Sequence, residues 1–184
     1  MPTEEVQILA MTRMRSGICT AGFTLQPDAT TGLRWVRPVK EHETLIMGDM
    51  TDQAGRVVQC SDVVALNLKA PCPDPPHTED RLTDFVYQRP CVLRRLEGER
   101  RAHLFSTHLD RAPEDVLVHH SRSLCLIHPD KVHALFSLDS RSGKYEARMG
   151  FTLGDLQHER ANSPRGIPVT DIKWRALGRA WLDG

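Results

Sequence analysis

The densest group of proton-moving side chains in this 184-residue chain is His77-Thr78-Glu79-Asp80. An imidazole two and three positions from carboxylates can form a general acid/base pair or supply half of a divalent-metal site. The same residues also have a structural use, in which the ring bonds a backbone group and a carboxylate caps a turn. Immediately before them runs Pro71-Cys72-Pro73-Asp74-Pro75-Pro76, whose four prolines exclude helix and sheet interior alike and predict a rigid extended loop.

A second group could bind rather than react. Arginine outnumbers lysine, which occurs only at 40, 69, 131, 144 and 173, and arginine suits bidentate recognition of phosphate or carboxylate. Codon bias produces the same excess. Arg34, Trp35 and Arg37 lie together, as do Tyr87 and Arg89, and each set could combine base stacking with a phosphate contact. Arg13 and Arg15 add cations just before the next strand-like segment. Pro38 pushes Arg37 towards extended backbone, so its guanidinium should project from a strand end. There it either meets a ligand, stacks on Trp35 or pairs with a carboxylate.

Other chemistry is poorly supported. His119-His120 is adjacent in sequence, so on a strand the two rings face opposite ways, and the spacing to His103, His108, His128 and His133 fits no finger or His-Glu-x-x-His helix. Five cysteines without a Cys-x-x-Cys pair predict reduced thiols, with Cys19 and Cys125 inert inside apolar runs. Phosphate-loop, dinucleotide-binding and nucleophile-elbow motifs are absent. Lys+Arg and Asp+Glu are matched at 24 each, which removes any overall field towards nucleic acid or an anionic membrane and makes such binding a local matter. No apolar run approaches the roughly 20 residues of a membrane span, and the first residues lack a secretory pattern, so the expectation is a cytoplasmic protein with no membrane partner.

The elements that must position these residues read mainly as strands. Val6 to Met11 is the first. Ile18 to Phe23 and Trp35 to Val39 form a hairpin about Pro27-Asp28 and Thr31-Gly32. Val57 to Leu68 reads as one long strand, Phe85 to Leu96 as another interrupted at Pro90, and Ser123 to His128, Val132 to Leu138 and Tyr145 to Leu153 as three more. Glu97-Gly98-Glu99-Arg100-Arg101 suggests an exposed turn or unit boundary. Pro113-Glu114-Asp115 can open a short helix. Thr170 or Asp171 can cap a final helix that turns Trp174, Leu177 and Trp181 inward.

Several of these stretches also carry a resemblance. Ile8 to Arg13, Gly17 to Gly22, Trp35 to Val39, His77 to Asp80, Ser123-Leu124 and Val169-Thr170-Asp171 resemble, in order and spacing, the motifs of the bacterial dual OB-containing domain family. Those motifs read LANSRK, GRCIAG, WIRPV, HQxEN and VTD. The resemblance spans nearly the whole chain, with departures at Thr12-Arg13-Met14-Arg15, Ile18 and Asp80. It implies two five-stranded OB-type barrels, a fold that binds ligands across one sheet face and its flanking loops.

The resulting expectation is an all-β protein of two OB-like five-stranded barrels packed together with a C-terminal helix. Residues 1–96 would form the first and 97–184 the second, joined between Leu96 and His103. Its function would be non-enzymatic binding of single-stranded nucleic acid or a nucleotide-like anion through Arg13, Arg15, Arg34, Trp35, Arg37, Tyr87 and Arg89. No cofactor or metal site is assigned. The rival is a small metal-dependent hydrolase or nuclease centred on His77, Glu79 and Asp80; a third reading is a protein-interaction adaptor.

Overall fold

A computed structural model describes residues 3–14, 16–27, 34–156 and 160–183. The chain is mostly β and groups into two compact units, Met1–Leu126 and Ile127–Gly184. The first contains β1 (Glu4–Arg13), β2 (Ile18–Thr24), β3 (Trp35–Val39), β4 (Asp62–Leu66), β5 (Leu68–Pro71), β6 (Asp80–Thr83), β7 (Cys91–Arg95) and two helices, α1 (Gly98–Thr107) and α2 (Glu114–Leu117). The second contains β8 (Lys131–Leu138), β9 (Tyr145–Thr152), β10 (Ile167–Pro168) and α3 (Ile172–Asp183).

The first unit is one curled sheet in the order β5-β6-β3-β2-β1-β4-β7. β1, β2 and β3 form an antiparallel meander, and β3 runs parallel to β6. β4 pairs with β1 while β5 pairs with β6, and only Asn67 separates β4 from β5. The segment 62–71 therefore runs from one side of this row of strands to the other. Val6, Ile8, Val36, Val64 and Leu66 fill the core of this unit at 1% exposure or less. β1 bends through a bulge at Leu9, where Ser61 N–H donates to the Ile8 carbonyl at 2.8 Å and the Cys60 thiol to that of Leu9 at 3.1 Å. Such bulges let a long strand turn a barrel corner. Gly22 lies where a Cβ would sit 2.1 Å from the Gln7 carbonyl oxygen, so β1 and β2 approach closely only because that side chain is missing.

In the second unit β9 lies between β10 and β8, and α3 packs against β8 and β9. Of the two caps expected, Thr170 and Asp171, it is Asp171 that caps α3, accepting the Trp174 N–H at 2.7 Å. Phe136 sits under the helix, 5.6 Å from Trp174 and 5.8 Å from Trp181 between ring centroids. Gly178 allows this approach, since a Cβ there would fall 2.1 Å from the Phe136 ring.

Several expectations need correction. The strand expected from Val57 begins at Asp62, because Ser61 takes a left-handed conformation and Asp62 accepts the Gln59 N–H at 2.8 Å to form a turn. The strand expected from Phe85 begins at Cys91, since Asp84 gathers the Val86 and Tyr87 N–H groups into a loop. Glu97 to Arg101 is no exposed turn but leads into α1, with Glu99 favourably placed in the first helical turn. Ser123 to His128 forms no strand: Glu79 takes the Ser123 hydroxyl, and Leu126 bonds Asp110, its N–H to the carboxylate and its carbonyl to the Asp110 N–H. Trp181 is 66% exposed rather than core. In place of a second five-stranded barrel, the second unit has three strands among its described residues. The hairpin turn expected at Asp28 and Thr31-Gly32 lies outside the described residues.

Candidate binding site

Alternation along β3 buries Val36 and Pro38 and leaves Trp35, Arg37 and Val39 half-covered on the other face. The parallel pairing of β3 with β6 puts Asp80 directly beside Arg37. Arg37 donates through Nε to Asp80 Oδ1 at 2.5 Å and through Nη2 to Oδ2 at 2.7 Å, a bidentate pair with little exposure. Burial works against the Arg37 charge, but Asp80 outweighs it and holds the guanidinium pKa above its ordinary value. Of the alternatives open for Arg37, the carboxylate pair is the one formed. Cys19 and Cys72 flank the pair; burial raises both thiols and Asp80 raises them further, while Arg37 opposes. Neither thiol is activated.

The pair forms one wall of a hollow of about 290 Å³, completed by Met14, Ile18, Cys19, Lys40, Glu43 and neighbours. A second hollow of about 330 Å³ adjoins it, lined by His42, Lys69, Asp84, Phe85, Val86 and Tyr87, and it shares Lys40 and Glu43 with the first. Lys40 is fixed between them by Asp49 at 3.1 Å and Glu43 at 3.2 Å, and these carboxylates raise its pKa, Asp49 foremost. At the far rim Tyr87 is 91% exposed. Its loop is built by Asp84, whose Oδ1 accepts the Val86 and Tyr87 N–H groups at 3.0 and 3.1 Å and whose Oδ2 meets Lys69 Nζ at 2.9 Å. Those contacts, the Tyr87 N–H first, hold the Asp84 carboxyl below its ordinary value.

The His77 motif divides its members. Asp80 is committed to Arg37. Glu79, 3% exposed, accepts the Ser123 hydroxyl through Oε1 and its N–H through Oε2 at 3.5 Å, tying the segment after α2 to β6. His77 closes a tight turn with Asp74, each N–H donating to the other's carbonyl, and its buried Nδ1 has no partner. Neither hollow is lined by His77 or Glu79.

The remaining candidates scatter. Trp35 packs on Phe23 at 4.2 Å between centroids, and Phe23 meets His108 at 5.1 Å. Arg34 donates to the Leu25 carbonyl at 3.2 Å and lies 3.5 Å from His108 Nε2. Arg13 and Arg89 are exposed outside both hollows. Arg15 lies outside the described residues. Cys125, near Asp110 and Arg122, is pushed up to about 11, chiefly by burial. Among the described residues no group of three or more His, Cys, Asp or Glu side chains is arranged to hold a metal, His119 and His120 included. No described helix is long and apolar enough to cross a membrane.

Reading the sequence by motif missed Lys40, His42, Glu43, Lys69 and Asp84. Lys40 follows Val39 directly, and Asp84 precedes Tyr87 by the spacing of an Asx turn, so both had a local signal. His42, Glu43 and Lys69 had none.

The mostly β architecture, with its curled seven-stranded sheet, three-stranded sheet and C-terminal helix, fits proteins of the OB type. A model of the dual OB-containing domain family matches residues 4–179, and the chain belongs to that family. Comparison with curated proteins and with solved structures finds no match.

Proposed function

We propose that this protein is a non-enzymatic binding module for single-stranded nucleic acid or a nucleotide-like anion, held in the two adjoining hollows of the first unit. We read that unit as a five-stranded OB-type barrel, β1-β2-β3-β6 closed by the bent β4/β5 segment, and the second unit as its open counterpart. The observation that carries the binding reading is Tyr87, almost fully exposed on a loop fixed by Asp84, at the rim of a hollow that shares Lys40 with the Arg37 cleft. A ring held out in this way offers a face for a base, and Lys69, 40% exposed beside Asp84, lies in the same wall for phosphate, while Lys40 is held by Asp49 and Glu43. Arg37, already paired, would shape the cleft more than neutralise a ligand.

Titration of labelled single-stranded DNA and RNA at two salt concentrations tests this reading. Saturable binding is expected, and Tyr87→Ala should weaken it by about 1–3 kcal/mol, the usual worth of one stacked base. Absence of saturable binding at both concentrations would remove the proposal. No observation favours the hydrolase alternative, because Glu79 and Asp80 have structural partners; its own test is a metal-dependent cleavage assay of the parent against His77→Ala.

A further inference from the structure

We propose that β8 is a self-association edge, through which two copies of this chain join their second units across a two-fold axis at Leu135. β8 is the outer strand of its sheet, so among the described residues one side of its backbone is unpaired. Seven of its eight residues are exposed, and it carries no proline. Natural edges usually block pairing with charge, proline or a bulge, and here a single cation, Lys131, stands at one end.

Above the strand the apolar surface continues. Trp181 contacts Phe136 yet remains 66% exposed, and Leu177, Leu182, Val132 and Leu138 are each at least 41% exposed, while Leu135, next to Phe136 in the alternation, is exposed on the opposite face. A second copy is the occupant that the edge itself specifies. Set antiparallel to itself about Leu135, β8 places Lys131 opposite Asp139, Val132 opposite Leu138 and Ala134 opposite Phe136, with Leu135 against its own mate. Shifting the axis by one residue either way loses the Lys131–Asp139 pair. Lys131 then faces Ser137 or Arg141. Directly opposed residues share a face, so the apolar pairs extend the layer under α3. A two-fold contact of this kind closes on itself and stops at two copies.

The edge is short, so the dimer should dissociate on dilution. Sedimentation over a concentration series should show a monomer–dimer equilibrium. Leu135→Lys sets two ammonium groups opposite each other and should raise the dissociation constant by at least about tenfold, with the circular dichroism unchanged. In a Cys91→Ser background, Leu135→Cys should cross-link to its own mate under mild oxidation, since opposed strand residues have Cα atoms about 4.5–5.5 Å apart. Ser137→Cys should not cross-link to itself. That pair of variants decides the matter even if Leu135→Lys fails to fold. A chain monomeric at its solubility limit would overturn the proposal. So would a dimer indifferent to Leu135→Lys, open-ended oligomers, or protection from exchange, in a monomer, of the β8 amides that point away from β9.

Discussion

Arg37 shows how one side chain can be read correctly in direction and still change its meaning. Its extended backbone before Pro38 aims it off β3, as sequence requires, but the partner it meets is Asp80 on a neighbouring parallel strand. Removing either partner leaves a charge in a poorly solvated place. Asp80→Ala should therefore cost about 3 kcal/mol, and a double-mutant cycle with Arg37→Met should recover part of that loss in denaturant unfolding. Asp84 gives a pH-dependent counterpart. Its folded-state pKa lies below the ordinary 3.8, so its contribution is complete above that value and is lost as pH falls through the lower folded value. Exchange protection of the Val86 and Tyr87 amides should accordingly hold at neutral pH and disappear in acid below about 3.8, and Asp84→Asn should abolish that dependence.

Elements meet through small residues and buried polar ties. α3 reaches β8 because Gly178 has no side chain where the Phe136 ring lies. Gly178→Ala should cost about 1–3 kcal/mol through overpacking, seen as a lower thermal midpoint of the second unit, despite alanine's higher helix propensity. The segment between α2 and β8 is held differently. It forms no ladder, and Glu79 accepts from Ser123 while Asp110 accepts from Arg122 and from the Leu126 N–H. Ser123→Ala leaves a buried carboxylate short of its donor, so limited proteolysis should speed up between 108 and 126, with a loss of about 1–3 kcal/mol. The apolar run from Ser123 to His128 looked like a strand by composition. Its polar groups go instead to Glu79 and Asp110, and composition says nothing about partners so distant in sequence.

For the whole molecule, balanced charge and the separation of the two sheets set the behaviour. The seven-stranded sheet lies entirely within residues 1–126, so a chain ending at Leu126 should fold cooperatively with a β-type circular dichroism spectrum. With 24 basic and 24 acidic side chains, attraction of a polyanion must be local. The salt dependence of nucleic-acid binding should be shallow, with a slope of about −0.7 for each phosphate met by a lysine in the hollows.

Sequence alone determined the strands that became β1, β8 and β9, the β2–β3 hairpin partners, a helix cap at Thr170 or Asp171 and the family motifs. Each of these is a local matter of side-chain period, turn chemistry or helix-end bonding. Tertiary structure decided that segment 62–71 pairs with β1 before Asn67 and with β6 after it, that Asp80 meets Arg37 while Glu79 turns to Ser123, and that Tyr87 and Lys40 line one hollow. These depend on which strands become neighbours, and strand neighbours are selected by burial and edge availability across distances that no local pattern encodes.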